Sequence, residues 1–89
     1  MDKYFKIIIE SWRGAFLLVG RVIKFKEKVY DYKFGEGIYL QSVLVDEYLD
    51  NSEIFILYSK KKLLYWHGRL FKVISSQEIS FQEVMAMLI

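Results

Sequence analysis

The chain contains no cysteine and no proline, and only one of its 89 residues is a histidine. Without cysteine there is no disulfide and no thiolate metal site, and one imidazole cannot build a zinc cluster. That usage fits a reducing compartment. Without proline, the turns must be marked by Gly, Asn, Asp and Ser. Long apolar runs are missing too. The longest near the N-terminus, Ala15–Val19, falls far short of the roughly 18 residues that a spanning helix needs. The run Ile7–Ile9 is too short for a signal peptide and ends at Glu10. Repeats and low-complexity segments are absent. These absences predict one soluble, cytoplasmic domain over residues 1–89, with no membrane contact and no cofactor.

What the chain does have is apolar and aromatic weight. Hydrophobic residues make up 54% and aromatic residues 18%, which excludes disorder and predicts that some rings stay exposed for a partner. The net charge of +2 conceals blocks. Residues 1–35 carry +4, residues 36–53 carry −5, and residues 60–72 carry +5. Such blocks are solvated turns and strand edges, or a bipolar surface that orients a partner or a second copy of the chain.

Periodicity points mainly to strands. Tyr4–Glu10 fits a strand with Phe5, Ile7 and Ile9 on one face, although Phe5, Ile8, Ile9, Trp12 and Phe16 would also make a helical stripe. Three consecutive isoleucines favour the strand. Ala15–Lys26 alternates, with Gly20 as a candidate bulge. Val29–Phe34 alternates, and Gly35-Glu36-Gly37 reads as a turn. Ile38–Leu49 fits either element, with Val43 and Val45 favouring a strand. Asp50-Asn51-Ser52 reads as a turn.

Ile54–Lys60 and Leu63–Ile74 read as a hairpin closed at Lys61-Lys62, the second strand bending at Gly68. The expected register sets Tyr58 opposite Tyr65 and Leu57 opposite Trp66. It places Phe55, Leu57, Leu64, Trp66 and Leu70 in the core. Ser80-Phe-Gln-Glu83 matches a capping box for a short C-terminal helix, with Phe81, Val84, Met85 and Leu88 on one stripe. The sum is an α+β, mainly β fold. The expectation is a small, strongly bent antiparallel five-stranded meander or SH3-like barrel with a short C-terminal helix.

Little chemistry suggests itself. Asp46, Glu47, Asp50 and Glu53 lack EF-hand spacing and read as a solvated turn. His67 beside Tyr58, Tyr65 or Arg69 is the only acid–base arrangement available, and catalysis is not expected. The expected binding face comprises Tyr58, Lys60, Lys61, Lys62, Tyr65, His67, Arg69 and Phe71. Its aromatic and cationic mixture suits another protein, or the chain itself, as in an adaptor, inhibitor or structural subunit. The alternative is a nucleic-acid-binding module in which rings stack on bases and cations meet phosphates. Small accessory proteins of viruses and mobile elements share this bare composition.

Overall fold

The computed structural model describes residues 3–22, 29–31, 33, 35–45, 49–57 and 63–88, with the backbone alone for 29–31 and 88. The strands are β1 (Tyr4–Ser11), β2 (Gly14–Val22), β3 (Val29–Asp31), β4 (Gly35–Val45), β5 (Glu53–Leu57), β6 (Leu63–Trp66) and β7 (Arg69–Ile79), followed by α1 (Phe81–Leu88). β1, β2, β4, β5, β6 and β7 pair antiparallel in that order, and β7 returns to β1. The result is a closed meander of six strands, not five. The short β3 adds to the first residues of β4, on the edge where β2 pairs further along. Among the described residues no helix is long and apolar enough to cross a membrane.

The stiff isoleucine run takes the strand conformation, sending Ile7 and Ile9 into the core. The Ser11 hydroxyl closes the turn into β2 by donating to the Gly14 carbonyl and accepting from the Arg13 N–H. Ile38–Val45 is also strand. Val43 is an extra residue opposite the Val19–Gly20 step, so the bulge expected at Gly20 lies across from it on β4. The phase flips there. Leu18 and Val45 face the interior, whereas Val19 and Leu44 face outward.

Gly35-Glu36-Gly37 is not a turn but the start of β4. Gly37 is buried, and a Cβ there would strike the Ile56 carbonyl oxygen and the Phe55 ring. The glycine serves a close approach between β4 and β5, which a sequence scan reads as a breaker.

Leu63–Ile74 is two strands. His67 and Gly68 have φ of 49° and 75° and form the two-residue loop of the β6–β7 hairpin, with Trp66 paired to Arg69. Positive φ at both central positions is the signature of a type I′ turn. The β5–β6 register is displaced from the expected one as well. Leu57 pairs with Leu63 and Ile54 with Trp66, leaving residues 58–62 between the strands. The displacement is by an odd number of positions, so the faces exchange. Ile54 and Ile56 thus share the interior side with Leu64 and Trp66, while Phe55 and Leu57, on the other side of β5, are buried as well. The two-residue turn sets Phe71 opposite Leu64, packed against the interior, and Leu70 opposite Tyr65, pointing outward and 50% exposed.

The interior holds Ile7, Ile9, Leu18, Leu40, Val45, Ile54, Leu64, Trp66 and Val73. A second apolar cluster forms on the outer wall, where Val84 of α1 covers Val19, Leu44 and Ile79. The capping box is present: the Glu83 N–H donates to the Ser80 hydroxyl over 3.1 Å, and the Ser80 N–H donates to the Glu83 carboxylate over 3.3 Å. The docked stripe is Val84 and Met87. Phe81 and Met85 were expected to dock and are exposed, although the Phe81 ring lies 5.7 Å from that of Tyr4.

Candidate functional site

Of the eight residues expected on one binding face, Tyr58, Lys60, Lys61 and Lys62 lie outside the described residues. The other four are separated by the register. Phe71 is half-buried with its ring 5.9 Å from Trp66 on the interior side. Arg69 is paired with Trp66 and exposed. His67 sits in the turn. Tyr65 alone points outward from the strand, in a cross-strand row of Tyr39, Phe55, Tyr65 and Leu70. The Tyr39 and Phe55 rings approach to 4.6 Å, and the Lys33 ammonium lies 5.6 Å from the Tyr65 ring. Phe55 of that row is buried, so the half-buried Tyr39 and Tyr65 with the exposed Leu70 and Lys33 form the outward patch, and of the expected face only Tyr65 belongs to it among the described residues.

The polar centre of the molecule lies elsewhere. Ser52, in the loop before β5, receives the Trp66 indole N–H on its hydroxyl at 2.6 Å. Its carbonyl accepts the Ser42 N–H at 2.8 Å, and its N–H donates to the Ser42 hydroxyl at 3.1 Å and to Asp50 Oδ1 at 2.8 Å. Ser42 is fully buried on β4, and this loop satisfies it. Beside the pair, Arg21 donates to Gln41 at 2.7 Å, and Gln41 donates to Asn51. These residues, with Val43 and Leu49, line an open depression of about 450 Å³.

Asp50 Oδ2 lies 3.6 Å from Nε2 of His67, whose ring is 4.5 Å from that of Trp66. Burial opposes ionisation of Asp50. Hydrogen bonds from the side chain and backbone of Ser52, with His67 nearby, outweigh it and lower the carboxyl pKa. Among the described residues no hydroxyl bonds to His67, and the Ser52 hydroxyl is turned to Trp66 and Ser42. The cluster holds a loop against the barrel. Of the acidic set that includes Asp46 and Glu47, only Asp50 and Glu53 are described, and no group of three metal-ligating side chains occurs among the described residues.

Sequence reasoning passed over the most exposed large apolar side chain among the described residues. Trp12, at the tip of the β1–β2 hairpin, is 82% exposed, and the Arg13 guanidinium lies 4.5 Å from its ring centre. Trp12 had been placed on a possible helical stripe. The hairpin reading was available from Ser11 and Gly14, which flank a two-residue tip. Among the described residues, Leu49, Leu70, Ile74, Phe81 and Met85 are the other large apolar side chains left in water. No family model, curated protein or solved structure matches the chain.

Proposed function

We propose that the chain is a small non-enzymatic binding or assembly protein acting through protein–protein contacts, as an adaptor, inhibitor or structural subunit. The barrel serves as a rigid scaffold of the SH3-like kind, and the cysteine-free chain suits a reducing cytoplasm. The observation that carries this reading is Trp12. An indole held almost wholly in water at a hairpin tip, with an arginine against its ring, is costly to leave uncovered. Tryptophan and arginine are also the commonest interface anchors. Barrel closure leaves the scaffold's own core complete without that side chain.

The test is affinity capture on the full chain, comparing wild type with Trp12→Ala. A saturable protein ligand, foreign or a second copy, should bind at least about tenfold more weakly to the variant. A ligand bound equally by both would contradict the assignment. The second reading is a nucleic-acid interface on the outer row around Tyr65, favoured by the approach of Lys33 to that ring.

A further inference from the structure

We propose that the C-terminal half of β7 is a strand-addition edge that pairs antiparallel with the same edge of a second copy of this chain. The proposal rests on the protein-contact reading above and names its partner. β7 spans Arg69–Ile79, yet β6 pairs only with Arg69–Lys72. On the other side β1 pairs from Lys72 to Ile79. The edge of Val73–Ile79 that faces away from β1 is therefore the longest unpaired strand edge among the described residues. Its alternate N–H and C=O groups are backbone donors and acceptors that pair with no strand among the described residues.

Exposure shows the same opening. Ile74, Ser75, Ser76, Gln77 and Glu78 are all exposed, five in succession. A strand covered on one face would alternate. Ser76 pairs with Ile7 and Glu78 with Phe5, so both belong to the inner side of the sheet, yet both are exposed.

The composition of the run selects a second copy. Ile74–Glu78 contains no proline, no glycine and one charge. In a two-fold antiparallel pair with its axis perpendicular to the sheet, one residue must face its own counterpart. Ser76 is the midpoint of the exposed run. With Ser76 at the axis, Ser75 faces Gln77 of the second copy and Glu78 faces Ile74. The two identical carboxylates then sit at opposite ends of the pairing, each toward the Lys72 end of the other copy. Serine and glutamine pairs can hydrogen-bond across strands, and like charges directly opposite are avoided. The bulge at Ile74, where β1 pairs pass from Ser75 to Val73, ends the available run at one side. Ser80 and the start of α1 end it at the other.

The experiment uses the absence of cysteine. Ser76→Cys and a control, Gln82→Cys on the exposed side of α1, each create the chain's only thiol. Residues directly opposite in an antiparallel pair have Cα separations of about 4.5–5.5 Å, within disulfide range. Under mild oxidation Ser76→Cys should form disulfide dimers at least about tenfold faster than Gln82→Cys. Wild type should sediment as a reversible dimer, and Ser76→Lys, which sets two ammonium groups at the axis, should sediment as a monomer. Equal cross-linking rates, or a wild type that stays monomeric at millimolar concentration, would overturn the edge proposal. Loss of the edge proposal alongside Trp12-dependent capture of a foreign protein leaves the protein-contact reading standing. Loss of both removes that reading too.

Discussion

The Trp66 indole N–H donates to the Ser52 hydroxyl across 2.6 Å, tying the loop before β5 to the end of β6. The same serine satisfies the buried Ser42 on the neighbouring strand β4. One small residue thus closes the polar accounts of two strands. Truncating it leaves the indole donor without its partner, while the Ser52 backbone still holds the Ser42 hydroxyl. Ser52→Ala should cost about 1–3 kcal/mol, measured by urea unfolding. A change within about 0.5 kcal/mol would mean that water replaces the hydroxyl.

Gly37 tests the barrel's closest approach. A methyl group there meets the Ile56 carbonyl and the Phe55 ring, neither of which is the far end of a flexible chain. At Gly20 the Cβ would lie 2.9 Å from Leu40 Cβ, a lesser conflict. Gly20→Ala should cost about 1–3 kcal/mol, and Gly37→Ala more than that. Circular dichroism with thermal melting reads both, and a Gly37→Ala protein with wild-type Tm would show that β4 and β5 lie further apart.

His67 occupies a left-handed position that asparagine fills more readily in type I′ turns. It is 57% exposed, and its contact with Asp50 over 3.6 Å is near the surface, where even a charged pair is worth little. His67→Asn should therefore leave stability unchanged or raise it by up to about 1 kcal/mol. A drop larger than that would show that the imidazole supports the loop through Asp50 or Trp66.

Asp50 gives the acid dependence its sign. Its folded pKa lies below the ordinary value of 3.8, so its contribution is fully present above that value. It is lost as pH falls from near 4 through the lowered folded pKa. Unfolding free energies measured between about pH 5 and pH 2 should fall less steeply in Asp50→Asn than in wild type. Parallel curves would remove Asp50 from the acid transition.

Several elements were legible in the sequence because their cause is local. The isoleucine run of β1 and the Ser80–Glu83 capping box each depend on neighbours within a few residues. The misread elements depend on distant contacts. Gly37 resembles a breaker until Phe55 and Ile56 are set beside it. His67-Gly68 is a tight turn without the usual asparagine, so Leu63–Ile74 passes for one bent strand and the count falls short. The β5–β6 register differs from the expected one by an odd number, which sets Ile54 and Ile56 beside Leu64 and Trp66, and the His67-Gly68 turn sets Phe71 opposite Leu64 on the interior side and Leu70 opposite Tyr65 on the outside. The Ser42–Ser52–Trp66 cluster joins residues ten and fourteen positions apart, and no pattern in the sequence announces it. The expected binding face dispersed for that reason, and Trp12 emerged only once the β1–β2 turn was in place.

The most direct measurement is retention of ligands by the full chain at two salt concentrations, about 50 and 200 mM, with wild type beside Trp12→Ala. The account predicts a protein ligand that is held at both concentrations and weakened about tenfold or more by the substitution. Retention of an oligonucleotide alone, falling steeply with salt and indifferent to Trp12, would contradict it.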